Sequence, residues 1–206
     1  MMKFIKEWVF PIGFAVLFVV LIRTFLFTGV SVSGPSMQPN LQNKEFVFLN
    51  KIASYKRGDV IVFDARQEDP RIADGEKDYV KRIIGIPGDT VAYRNGNLYV
   101  NGKQVNQDFI SASERKEGTE MSFGTTWSLK TLSSGNTWQA KDRNHTTVPK
   151  GEYFVMGDHR SVSNDGRYFG FVDKKHITGK VIVPFWNSNK VAKSNVNQGD
   201  KNFFAK

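Results

Sequence analysis

The chain contains no cysteine. A disulfide, a thiolate nucleophile and a cysteine metal site are therefore all excluded, and any exported part must be stable without crosslinks. Its three histidines, His145, His159 and His176, show no metal-ligand spacing, which argues against a zinc site. There is no zinc-finger, helix-turn-helix or RNA-binding pattern to accompany the formal net charge of +9. The positive balance is therefore read as suited to an anionic lipid surface, with no nucleic-acid partner expected. Internal repeats are absent too, and no Ala-x-Ala cleavage site follows the first apolar run.

What is present begins with that run. Trp8 to Ile22 carries no charge, and the apolar character resumes after Arg23 through Phe27. Taken as one helix, Trp8 to Thr28 would span about 31 Å at about 1.5 Å per residue. That matches a hydrocarbon core of roughly 30 Å. Arg23 is near enough to the far end to snorkel. Lys3 and Lys6 precede the segment, which keeps the N-terminus cytoplasmic and puts everything after residue 28 outside. Residues 1–28 are thus expected to be a cytoplasmic stub and a single uncleaved membrane anchor.

The remainder reads as β structure. Val60-Ile61-Val62-Phe63 follows the turn signal Arg57-Gly58-Asp59. Tyr79 to Ile86 is rich in β-branched residues and stops at Pro87-Gly88-Asp89. Asn95-Gly96 and Asn101-Gly102 separate three short apolar runs, which is the strongest local hairpin signal. Glu152 to Met156 and Lys180 to Phe185 complete the strands. Residues 106–148 are polar with little periodicity and read as a smaller inserted β subdomain, without a catalytic part. That leaves 29–105 and 149–186 for the main β domain. The Asn-, Lys- and Ser-rich tail, 187–206, is expected to be flexible.

Three segments carry chemistry. Ser36, in Gly34-Pro35-Ser36-Met37-Gln38-Pro39, sits on a constrained turn just past the apolar segment. It is not part of a Ser-x-x-Lys motif, because Pro39 takes the last position. A serine in such surroundings is ordinarily a loop serine. In Asp78 to Gly85, alternation puts Tyr79, Lys81 and Ile83 on one strand face and Val80, Arg82 and Ile84 on the other. A lysine on a strand is ordinarily solvated; one turned into an apolar cleft is discouraged from carrying charge and can accept a serine proton. The third segment, Gly157 to Arg167, interleaves Asp158, Arg160, Asp165 and Arg167. It suits either a surface turn or a buried ion network that stiffens a loop.

Together these segments resemble the type I signal peptidase family, in its Gram-positive branch. The resemblance rests on four boxes in family order: Ser36-Met37, Arg57 to Val60, Lys81 to Asp89, and Gly157 to Gly170. It implies the family's β fold behind one transmembrane helix, and a cell-membrane serine endopeptidase that removes signal peptides from preproteins. It implies Ser36 as nucleophile and Lys81 as general base, working without metal or cofactor and as a monomer. Ser163 matches the serine that orients the lysine ammonium. Asp165 and Arg167 match a supporting ion pair, and Asp158 and Arg160 match the start of that box. Val30, Val32, Leu41, Val47, Val62 and Val80 match the walls of shallow pockets for small residues. His159, Val162, Gly166 and Phe169 depart from the family's usual residues, and Gly34 stands where many relatives place a serine that assists the oxyanion. The Ser36 N–H is the natural donor there, since Pro35 has none. Two other readings compete, beside a third, an extracellular nucleic-acid binder, whose steeply salt-dependent DNA binding is not expected. Self-cleaving repressors share the serine-lysine chemistry but carry a DNA-binding module where this chain has an apolar span. A membrane-tethered, non-enzymatic β domain assisting surface-protein or pilus assembly is the alternative outside enzymology.

Overall fold

A computed structural model describes residues 8–72, 75 and 78–205. The basic stub carrying Lys3 and Lys6 lies outside the described residues. The chain enters through the helix Phe10–Leu21, whose side chains are exposed all round, and a π-helical turn, Ile22–Leu26. Among the described residues no helix is long and apolar enough to cross a membrane. The expected helix also ends early. Phe27 and Thr28 already pair as a strand with Asn50 and Leu49.

The strands are β1 (Phe27–Ser31), β2 (Phe46–Asn50), β3 (Val60–Asp64), β4 (Asp78–Gly85), β5 (Val91–Arg94), β6 (Asn97–Val100), β7 (Lys103–Gln104), β8 (Thr126–Ser128), β9 (Glu152–Met156), β10 (Val172–Asp173) and β11 (Ile177–Ile182). They form a seven-stranded sheet ordered β1-β2-β11-β3-β4-β9-β10 and a four-stranded sheet ordered β7-β6-β5-β8. β3 shows why its sequence is an unbroken apolar run. Val60 and Val62 pack on one side with Leu49 and Val181, while Ile61 and Phe63 pack on the other with Ile83 and Val155. A strand buried on both faces has no polar side to alternate with.

Both Asn-Gly pairs form the expected two-residue hairpins. Asn95 and Gly96 turn at φ 45° and 86°, and Asn101 and Gly102 at φ 50° and 76°. Two consecutive left-handed residues give a turn whose twist matches the flanking strands. The division of the chain differs from expectation. β8 pairs with β5, β5 with β6 and β6 with β7, so residues 91–104 belong to the small sheet and not to the main one. The region 106–148 contributes one strand and several short helices to that unit. Trp138, Phe154, Phe171 and Tyr93 share one core, which joins the two sheets.

The tail is also not the loose segment its composition suggests. It forms a helix, Lys190–Asn197, capped by the Asn189 side chain, and buries Ala192, Val196 and Phe203. Three apolar side chains at wide spacing carry this docking. They are too few to stand out from the surrounding Asn, Lys and Ser.

Candidate active site

The Ser36 loop is built by one buried anchor. Met37 is 1% exposed and sits in the core with Leu41 and Val47. Its carbonyl accepts the N–H groups of Asn40 (3.0 Å) and Leu41 (2.9 Å), closing a single tight turn. Gly34 makes the approach at φ +84°, a conformation that disfavours any side chain, and its N–H donates to Asn43 Oδ1 at 3.1 Å. With Met37 held inward, Ser36 is presented to the neighbouring strand.

That strand is β4. Lys81 lies opposite Ile61 of β3 and is 3% exposed. Its Nζ is 3.0 Å from Ser36 Oγ and donates to the Val80 carbonyl at 3.0 Å. The face of the Tyr79 ring lies 4.8 Å from the amine. Arg82, next in sequence, turns the other way, as period two requires. Its Nε and Nη2 form a two-pronged pair with Asp158 at 2.8 and 2.7 Å, both side chains being 1% exposed.

The loop after β9 forms the third wall. The His159 N–H donates to the Ser36 carbonyl at 3.1 Å. Gly157 lies between Ser163 and Ser36, and a Cβ there would overlap the Ser163 hydroxyl and the Ser36 carbonyl. Asp165 takes the Gly157 N–H at 2.9 Å and pairs with Arg167 at 2.8 and 2.9 Å. Burial pushes the Asp165 carboxyl up, but the Arg167 charge and these hydrogen bonds outweigh it and hold the carboxyl below its usual range. Arg167 also donates to the Arg160 carbonyl at 2.8 Å. Arg160 is fully buried, and burial together with the nearby Arg167 charge pulls its guanidinium down to about 10.

The expected residues divide as follows. Ser36 and Lys81 come together, and Asp165 and Arg167 form one ion pair. Asp158 and Arg160 both stand on this loop but do not pair. Asp158 takes Arg82, while Arg160 donates to Gln107 at 2.7 Å and to the Gly157 carbonyl at 3.1 Å. Ser163 is brought to the site and buried, yet among the described residues its hydroxyl has no hydrogen-bond partner. Val30, Val32, Val47, Val62 and Val80 line a cleft of about 570 Å³ together with Ser36 and Lys81. Leu41 does not line it: it is fully buried in the core beneath the Ser36 turn.

The sequence reading put Tyr79 on the Lys81 face without assigning its side chain a role, and it passed over Asn164 and Asn40. Tyr79 and Asn164 also line the cleft, and both bond the Asp69 carboxylate. Asn40 donates to Asp158 at 2.8 Å. Tyr79 shares the alternation of β4 with Lys81, but Asn164 and Asn40 belong to no periodic pattern, and the last contact joins residues 118 positions apart. Among the described residues no group of three or more His, Cys, Asp or Glu is arranged to hold a metal.

The cleft has a further property. It is lined from both β1 and β4, which are separated by three strands in the sheet order. β9 pairs with β4 only from Arg82 onward. The stretch Asp78–Lys81 and the outer edge of β1 therefore flank the same groove, and an extended peptide can be gripped by backbone hydrogen bonds there.

Residues 5–186 match the family model described as signal peptidase, peptidase S26. The chain is 36% identical over 190 residues to signal peptidase IB of Staphylococcus aureus strain COL, covering 90% of this chain and 92% of the relative. It is 36% identical over 193 residues to signal peptidase I of Bacillus licheniformis, covering 91% and 92%. A crystal structure of a signal peptidase I from Enterococcus faecalis V583 superposes with a TM-score of 0.49 at 33% identity, over 63% of this chain and 97% of that one.

Proposed function

This chain belongs to the signal peptidase family, peptidase S26, serine endopeptidases that remove signal peptides, and on that premise we propose that Ser36 is its nucleophile and Lys81 its general base. One observation carries the assignment: the 3.0 Å approach of Lys81 Nζ to Ser36 Oγ, with Lys81 3% exposed.

A preprotein strand lies in the groove between β1 and Asp78–Lys81, its scissile carbonyl over Ser36. The neutral amine takes the hydroxyl proton as Oγ bonds to the carbonyl carbon. Once formed, the ammonium is steadied by the Val80 carbonyl, the Tyr79 ring face and the charge of Asp165. The tetrahedral oxyanion takes the Ser36 N–H; Pro35 has none, and that of Gly34 is committed to Asn43. Collapse breaks the C–N bond, and the Lys81 proton leaves with the new amino terminus. Lys81 then takes a proton from water, which attacks the acyl carbon and frees Ser36. Both dyad members come from one chain, so the reaction needs no second subunit.

The valines supply specificity. Val30, Val32, Val47, Val62 and Val80 make shallow apolar walls that accept small side chains and exclude large ones sterically. The wholly exposed apolar surface from Phe10 to Leu21 supports a membrane location, with this helix as the core of the single anchor expected within residues 1–28. Lys3 and Lys6 favour a cytoplasmic N-terminus and a catalytic domain outside.

Purified Ser36→Ala and Lys81→Ala, compared with wild type on a preprotein, test the assignment. Each is expected to lower the cleavage rate by about a thousandfold or more while keeping its fold. A wild-type rate in either variant overturns it.

A further inference from the structure

We propose that Asn195, on the C-terminal helix beyond the matched family region, is a positioning residue that locks Ser36 and Lys81 into register; this rests on the dyad reading above. Four residues form a closed ring. Asn195 Nδ2 donates to Asn40 Oδ1 at 2.8 Å. Asn40 Nδ2 donates to Asp158 Oδ2 at 2.8 Å. Asp158 takes both prongs of Arg82. Arg82 Nη1 returns to the Asn195 carbonyl at 2.9 Å.

Each of the other members belongs to a separate wall of the site. Asn40 closes the turn that presents Ser36, since its N–H bonds the Met37 carbonyl. Arg82 follows Lys81 on β4. Asp158 lies between Gly157 and His159, whose N–H holds the Ser36 carbonyl. The three walls meet at this ring, and Asn195 joins two of them with its side chain and backbone at once. Asn40 and Asp158 are 2% and 1% exposed, and Arg82 is 1% exposed, while Asn195 is half-buried at the edge of the ring, so losing its amide leaves the buried Asn40 carbonyl oxygen to find a new partner.

The tail is built to sit there. Asn197 donates to and accepts from the backbone of Val183 at 2.9 and 2.8 Å. Val196 is fully buried. Gly58 and Gly199 pass so closely that a Cβ on either would strike the other's backbone. The helix is thus held by contacts independent of the Asn195 side chain. Removing that side chain opens the ring without releasing the helix.

The test is steady-state cleavage by the full chain bearing Asn195→Ala, Asn40→Ala or both, with Val191→Ala, at an exposed site on the same helix, as control. Misplacing reacting groups by a fraction of an ångström costs rate and not binding, so Asn195→Ala is expected to lower kcat by about tenfold or more. The valine walls of the cleft are untouched, so KM is expected to stay within about twofold. The double variant is expected to be no slower than the worse single one, because both changes open one ring. A purely structural role would lower the melting temperature and leave kcat per folded molecule unchanged. That result, or additive effects of the two substitutions, overturns the proposal. Should Asn195→Ala fail to fold, Asn195→Gln keeps the amide and shifts it by one methylene, with the same expectation at smaller size. Ser36→Ala run in parallel separates the failures. If it still cleaves, the dyad reading is wrong; if it is inactive while Asn195→Ala is fully active, only the ring is wrong.

Discussion

Asp142 offers a perturbation whose sign and size follow from its surroundings. It is 1% exposed, at the end of the short turn Ala140–Asp142. Its Oδ2 takes the Phe171 N–H at 3.4 Å, and its Oδ1 has no hydrogen-bond partner among the described residues. Burial pushes its carboxyl from 3.8 up to about 7; Lys141 pulls against that, and Glu152 pushes with it. The folded state therefore holds this proton far more tightly than the unfolded chain does. Below the unfolded value both states are protonated, and the contribution to stability is intact. As pH rises toward about 7 the unfolded chain sheds the proton first and stability falls. A gap of about three units corresponds to about 4 kcal/mol. Relaxation and water penetration around the charged carboxylate reduce this, and about 2 kcal/mol is the expected loss between about pH 4 and pH 8. Asp142→Asn cannot ionise, so it is expected to remove that part of the pH dependence. Its absolute stability is a poorer guide, because the new amide brings a donor that itself needs a partner. Urea unfolding of both proteins across that range, compared by slope, is the assay. Parallel stability curves for wild type and Asp142→Asn would refute the reasoning.

Three further outcomes are expected. Asp158→Ala strands the buried Arg82 guanidinium and should cost about 3–5 kcal/mol, lowering the melting temperature by about 10 °C; a shift within error would contradict the buried-pair account. Gly157→Ala should abolish cleavage while leaving the circular dichroism spectrum intact, since its Cβ would displace Ser163 and the Ser36 carbonyl. Val80→Phe narrows the cleft and should lower kcat/KM by about tenfold for a small-residue cleavage site; an unchanged value would remove Val80 from the pocket.

How far the sequence reveals this arrangement depends on whether the information is local. Alternation along β4 places Lys81 and Arg82 on opposite faces, and they go to Ser36 and Asp158 respectively. The Asn-Gly turns are legible because a left-handed pair needs those residue types. Which sheet the hairpins join is not legible, because pairing with β8 is decided some 30 residues away. The identity of Asp158's partner is hidden for a related reason. Arg160 is near in sequence, but only the fold brings Arg82 and Asn40 to the carboxylate. Leu41 and Val47 read alike as apolar residues near Ser36, yet the Met37 turn drives Leu41 into the core while Val47 also reaches the cleft. The tail misleads most: its polar composition gives no hint that Asn195 and Asn197 find backbone and side-chain partners on the main domain.

The absence of cysteine makes the central claim directly testable. Lys81→Cys introduces the chain's one thiol, which bromoethylamine converts to a near-copy of the lysine side chain and iodoacetamide converts to an amide without a basic nitrogen. The untreated variant should cleave a preprotein about a thousandfold more slowly than wild type. Aminoethylation should restore cleavage and carbamidomethylation should not. Full activity in untreated Lys81→Cys, or equal recovery with either reagent, would show that no amine at this position takes the Ser36 proton.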